Sequence, residues 1–243
     1  MDFLLTLLFV AAVLFISTFV RSAVGFGDAL LAMPLLALII SLKTATPLVA
    51  LMGMTISTGI ILTDWARIDL RSAWRLIVAS LVGIPFGLIL LNLTPEVLVK
   101  ATLGLLLVLY GLYNLLTPGL PLLQNEKLAY LFGFVAGILG GAYNTNGPPI
   151  VIYGALRRWP PAYFRATLQG YFFFTNILIL AGHSLAGLWT LSVLNLFLSS
   201  LPVIGLGIYL GGKANRYIPK ALFSRLIYML LIVVGVLFLI SSR

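Results

Sequence analysis

Polar side chains set inside apolar sequence are where this chain could do chemistry. Asp28 lies in "RSAVGFGDALLAMP". Tyr143, Asn144, Thr145, Asn146 and Gly147 lie in "GGAYNTNGPPIVIYG". Gln169 and Asn176 lie in "ATLQGYFFFTN", with Tyr171 and Thr175 between them. Asn146 is placed to cap a helix, because its side-chain oxygen can accept an orphan backbone N–H. Pro148 or Pro149 suits the first helical turn, where a missing N–H costs nothing. Gly140, Gly141 and Gly147 allow close backbone approach and positive φ. The expected product is a helix N-terminus with free N–H donors and partial positive charge, a ready site for an anion. The earlier stretch repeats the plan: Gly25 and Gly27 supply a turn, Asp28 caps the following helix, and Pro34 kinks it.

Each of these residues also has a plainer reading. Asn144 and Asn146 can be caps alone, or caps that also line a substrate path. Asp28 can be an N-cap, or an intramembrane acid with a proton-coupling or gating role, since such acids are costly to bury. Arg21 and Arg165 read first as topology anchors and second as anion-attracting groups. Gln169 and Asn176 are two helical turns apart and share a face, which lines a cavity or bonds a neighbouring helix. His183 reads as a loop residue.

Other chemistries are ruled out. The chain has no cysteine and a single histidine, so disulfides, thiolate sites and His-rich metal sites are excluded. No P-loop, HExxH or Ser/His/Asp set occurs, and no cofactor is implied.

The elements that must position these residues follow from composition. The 243 residues are 61% hydrophobic and 9% charged, with mean hydropathy +1.14; a soluble domain carries roughly 25% charged residues. The formal charge of +9 comes from basic residues between apolar runs. It reads as topology-setting charge against anionic lipid, not as a nucleic-acid surface. "MDFLLTLLFVAAVLFISTFVRS" lacks a basic leader and an A-x-A site, so a membrane helix is expected there and not a cleaved signal. Apolar runs cover 3–22, 29–41, 44–63, 72–92, 96–116, 127–141, 148–156, 163–183, 189–211 and 219–241. A span needs about 20 residues, so 29–41, 127–141 and 148–156 are short. The run before "AYNTNG" reaches roughly 21 Å and the one after it roughly 14 Å at 1.5 Å per residue. A helical hairpin that dips in and returns, or two short tilted spans, is expected.

The halves resemble each other. Phe19, Val20, Gly25 and Pro34 lie over Phe134, Val135, Gly140 and Pro149 at one constant offset. Gly83, Gly87, Pro95 and Gly111 lie over Gly207, Gly211, Pro219 and Gly235 at a second. Residues 1–117 and 127–243 therefore read as two five-segment repeats joined by a loop at 118–126. Arg67, Arg71 and Arg75 mark one loop of the first half, whose counterpart near "HSLAGLW" has no lysine or arginine. Lys213, Arg216 and Lys220 mark the opposite loop of the second half. The bias flips between halves, as inverted repeats require, and puts both termini outside. "GIPFG", "GIYLG" and "GFVAG" are small-xxx-small motifs for close helix packing. Trp65, Trp74, Trp159 and Trp189 fall near segment ends, as in an aromatic belt.

"GFGDALLAMPLLALI", "GGAYNTNGPPIVIYGALRRW", "DWARIDL", "GIPFG" and "GLWTL" resemble the signatures of the sulfite exporter TauE/SafE family of membrane transporters, over nearly the whole chain. The resemblance implies a multi-pass permease for small sulfur-containing anions such as sulfite and sulfonates, without an attached ATPase. The family form often has glycine at the position of Asp28, so the resemblance implies no Asp-based coupling.

The expected protein is an all-α polytopic membrane protein of the cell (inner) membrane. It would carry a small anion at the meeting point of two broken hairpins, with the bilayer as its other partner and homo-oligomerisation left open. Substrate contacts are expected from Gly25, Gly27, Asp28, Tyr143, Asn144, Thr145, Asn146, Gly147, Gln169 and Asn176. The competing classes are an anion channel, a carrier for a non-sulfur anion, and a membrane-embedded enzyme or assembly subunit.

Overall fold

Ten α-helices account for nearly all of the described residues in the computed structural model, which covers 3–64, 70–116, 123–214 and 220–241. They are α1 (Phe3–Val24), α2 (Asp28–Leu36), α3 (Leu42–Asp64), α4 (Leu70–Leu93), α5 (Glu96–Leu116), α6 (Leu128–Tyr143), α7 (Gly147–Leu156), α8 (Pro161–Leu185), α9 (Leu191–Ala214) and α10 (Lys220–Ser241). Trp65, Arg67 and Arg216 lie outside the described residues, as does most of the loop joining the halves. Stretches within α1, α4, α5 and α9 are long and apolar enough to cross a membrane. Leu81, Val82, Phe86 and Ile89 on α4, and Leu105 and Leu109 on α5, face outward. Such contiguous apolar surface suits lipid and not water.

Two of the helices are short because the chain is broken beside them. After α1, Gly25 and Gly27 take φ +102° and +100°, values open to glycine alone. The Gly25 N–H donates to Arg21 O at 2.6 Å. α2 then runs only two residues beyond Pro34, whose ring removes the N–H that would bond Leu30. Pro34, expected to kink this helix, stands inside it close to its end.

After α6 the positive φ belongs to Asn144 (53°), with its N–H returned to Gly140 O at 2.9 Å. Asparagine tolerates this region better than most residues. The glycines expected to provide that freedom do something else. Gly140 and Gly141 are helical, and their bare faces admit Ile179 and the backbone of α4.

α7 returns to where α6 began. The Leu123 N–H donates to Leu156 O at 2.9 Å, and Arg157 donates to Leu123 O and Gln124 O, both at 3.0 Å. Glu126 bridges Arg157 (3.1 Å) and Arg75 of α4 (2.8 Å). The base of this hairpin therefore lies at the N-terminal end of α4. The first hairpin leads into the start of α3, where Leu42 N–H meets Glu96 and Lys43 meets Asn92 O, both at 3.4 Å. That is the C-terminal end of α4, so the two hairpins enter from opposite ends.

Helix pairing is reciprocal. α4 lies along α6 as α9 lies along α1, α4 touches α8 as α9 touches α3, and α5 packs on α10. Bare glycine faces make these approaches close. A Cβ on Gly83 would stand 2.9 Å from Ile138 N, and one on Gly211 would stand 2.7 Å from Ser22 Cβ. In the α5–α10 pair, Gly111 faces Tyr228 O and Ile232, while Gly235 faces Gly104 O and Val108. Residue numbers rise on one helix as they fall on the other, so the pair is antiparallel.

Candidate functional site

The two breaks meet. Arg21 from α1, Phe26 and Gly27 from the first turn, and Asp28, Ala29 and Leu30 from α2 form one wall of a cavity. Asn144, Thr145 and Asn146 from the second turn, Gly147 and Pro148 from α7, and Phe172 and Asn176 from α8 form the other. It has a volume of about 20 Å³, room for about one water-sized molecule. Gly53, Ser57, Phe172 and Asn176 fall near the middle of α3 and α8, helices of 23 and 25 residues.

Arg21 organises this cavity. Its side chain is 3% exposed, too buried for a topology anchor at a membrane surface. Nη1 donates to Asp28 Oδ2 at 2.7 Å and Nη2 to Ser57 Oγ at 2.6 Å. The guanidinium carbon lies 4.9 Å from the Phe172 ring centre, a cation–π contact. Nε has no hydrogen-bond partner. A buried charge survives only when paired and hydrogen-bonded, and both arms of Arg21 are so held.

Asp28 is the first residue of α2, behind Gly27 at the cap position. The cap position expected for Asp28 is thus taken by Gly27, and the Asp28 carboxylate is drawn across the turn to Arg21. Asn146 also departs from expectation. It stands at the N-cap of α7 with no side-chain capping bond. Its Nδ2 instead donates to Thr175 Oγ1 at 3.1 Å, tying the second turn to α8.

Around Gly53, three side-chain nitrogens converge. A Cβ there would lie 3.3 Å from Asn176 Nδ2 and 3.5 Å from both Arg21 Nη1 and Asn144 Nδ2. Asn144 Oδ1 and Thr145 Oγ1 are buried without partners. Gln169 does not line the cavity; its Nε2 donates to Gly25 O at 3.2 Å and braces the first turn. Tyr143 points away, its hydroxyl bonded to Thr102 and to Val99 O. Arg165 falls early in α8, and its side chain lies outside the described part of the structure. His183 is a fully buried helical residue, not a loop residue, with Nε2 3.3 Å from Gly141 O.

Ser57 and Gly53 carry no motif of their own, while Phe26 and Phe172 lie unmarked inside the stretches "GFGD" and "ATLQGYFFFTN". The run of small and hydroxyl residues in "GMTISTG" on α3 was the available sign of the first two.

A multi-pass helical membrane protein with a buried polar cavity between two broken hairpins is the class this arrangement defines. Within that class the chain belongs to the sulfite exporter TauE/SafE family, whose sequence profile matches residues 9–238. This is a family of membrane transporters for sulfur-containing anions, not of enzymes. Searches of curated proteins and of solved structures return no match.

Proposed function

We propose that the chain is a secondary transporter that exports a small sulfur-containing anion, sulfite or a sulfonate. The anion binds where the hairpin tips meet, and access alternates between the two sides of the membrane. The convergence of both breaks on one cavity carries this reading. α2 leaves the N–H groups of its first turn for an oxyanion, and Asn144 and Asn176 add amide donors near Arg21. α7 contributes less than its position suggests, because Pro148 and Pro149 have no N–H and only those of Asn146 and Gly147 remain.

The cavity of about 20 Å³ must widen for an anion to enter, which fits a carrier caught between its open states better than a pore. Hairpins entering from opposite ends, reciprocal pairing and the antiparallel α5–α10 contact support inverted repeats at 1–117 and 127–243. Ten membrane segments with both termini outside complete the proposed topology.

The test is a thermal-shift panel on purified protein with sulfite, sulfate, thiosulfate, sulfoacetate, taurine, acetate and chloride at fixed ionic strength, followed by counterflow in proteoliposomes. A ligand at 100 times its Kd adds about 2.7 kcal/mol to stability, so one sulfur oxyanion should raise the midpoint selectively. Saturable counterflow of that anion, lost in Asn144→Ala, is expected. Flux that never saturates and shows no exchange would make the protein a channel.

A further inference from the structure

We propose that Asp28 is an internal stand-in for the substrate on Arg21, and that each anion admitted is accompanied by one proton taken up by Asp28, making transport electroneutral and selective for monoanions. This rests on the carrier reading of the cavity given above.

Arg21 and Asp28 are the only ionisable side chains among the described residues lining the cavity. They face each other at 2.7 Å and are 3% and 9% exposed. Their charges cancel: among the described residues the cavity has one guanidinium, one carboxylate, and otherwise amides, hydroxyls, backbone and apolar groups. The described residues of every element packed against Asp28 agree with this count. α1 brings Arg21, α3 brings the neutral Ser57, the second turn brings Asn144, Thr145 and Asn146, and α8 brings Phe172 and Asn176. α5 and α10 also touch α2, but bring no ionisable side chain to the cavity wall; Tyr110 and Tyr228 meet each other edge-on instead.

An arriving oxyanion seeks the same donors that Asp28 now uses. Nη1 and Nη2 already hold Asp28 and Ser57, so an anion that binds the tip of Arg21, beside the carboxylate or in its place, brings a second negative charge to it. Two anions would then share one buried cation, and a buried unpaired carboxylate is strongly unfavourable. A proton on Asp28 restores neutrality. The balance is simple: one proton and one monoanion enter, the Arg21–Asp28 contact opens, an Arg21–anion contact forms, and Asp28 becomes a neutral acid able to donate to the anion. Release reverses each step. Both the empty state and the loaded state are neutral, so neither is driven by membrane voltage. A dianion would leave one uncompensated charge, which favours hydrogen sulfite or a sulfonate over a doubly charged anion. The direction of net movement then follows the anion's concentration ratio set against the pH gradient. Export proceeds when the anion accumulates inside.

The experiment uses full-length protein in proteoliposomes, with labelled sulfite as the probe. Membrane voltage is imposed by potassium and valinomycin, independently of pH. Wild-type uptake should rise at least several-fold with an inward proton gradient and stay unchanged across imposed voltages. For Asp28→Asn, uptake divided by its own counterflow rate should lose the pH response and become voltage-dependent. Uptake by the wild type that follows voltage and ignores the proton gradient overturns the proposal while leaving the carrier intact. An Asp28→Asn protein that keeps its pH response does the same. Absence of any sulfite counterflow by the wild type overturns the carrier reading and this proposal together. The wild-type voltage measurement needs no variant, so a misfolded Asp28→Asn does not blunt the test.

Discussion

Glycine turns the first hairpin and asparagine turns the second. Between Gly25 and Gly27 the turn offers only the apolar Phe26, so its polar chemistry comes from its flanks: Arg21 before it and Asp28 after it, locked as an ion pair. At Asn144 the turn residue carries an amide into the cavity, and its neighbours Thr145 and Asn146 are neutral. One tip thus brings charge that must be balanced, and the other brings neutral hydrogen bonds that can rearrange cheaply. The surroundings differ as well. α10 packs on α2, whereas an apolar groove of about 720 Å³ lies between α5 and the α6–α7 hairpin, with Leu109 and Ile152 among its walls. Pro148 borders both that groove and the polar cavity. The second tip thus borders open apolar space, and the first is covered by α10.

The sharpest way to break this comparison is Arg21→Ala. It leaves a buried carboxylate unpaired and should cost about 3–5 kcal/mol, read as a large fall in thermal midpoint. Arg21→Ala with Asp28→Ala should recover much of that loss, and failure to recover would mean the pair is not what holds the tip.

Next is Gly27→Ala. It forces a Cβ onto φ +100° and should cost about 1–3 kcal/mol, again read from the midpoint. In the second hairpin, Asn146→Ala removes one neutral bond to Thr175 and should cost about 1 kcal/mol. A loss as large as that of Arg21→Ala would erase the distinction between the tips.

Asn144→Gly keeps the positive φ and deletes the amide. Its midpoint should move by less than about 1 kcal/mol equivalent, while anion counterflow falls at least several-fold. Smallest of all is Glu126→Gln at the exposed hairpin base. It should cost less than about 1 kcal/mol and lose its effect at high salt.

Much of this was legible in sequence. "GGAYNTNGPP" and "RSAVGFGD" marked both breaks, because glycine, proline and asparagine inside apolar runs have few other uses in a membrane. What escaped was partnership. Arg21 and Asp28 are seven residues apart, a spacing that on an unbroken helix would set them on one face two turns apart. Only the bent backbone makes them touch. Ser57 reaches Arg21 from 36 positions away, with no local signal beyond a hydroxyl in an apolar run. Asn146 looked like a cap because it precedes two prolines, yet a neighbouring helix offered Thr175 and took its side chain. His183 looked like loop because its helix runs further than its hydropathy suggests. In each case tertiary packing supplied a partner that outcompeted the local one.

The exchanged pairing of α1 with α9 has a consequence for how the chain is made. Gly207 and Gly211 close over Phe15, Thr18, Phe19 and Ser22, and Ser17 and Thr18 are fully buried in the finished protein. On the ribosome, α1 emerges well before α9, about 170 residues ahead (Val24 to Leu191). At about 5–20 residues per second, the wait is on the order of ten seconds or more. Throughout that interval the hydroxyl face of the first helix lacks its partner, while Arg21 can already meet Asp28 and Ser57. Assembly of this protein is thus a matter of keeping an early helix sheltered until its late partner arrives.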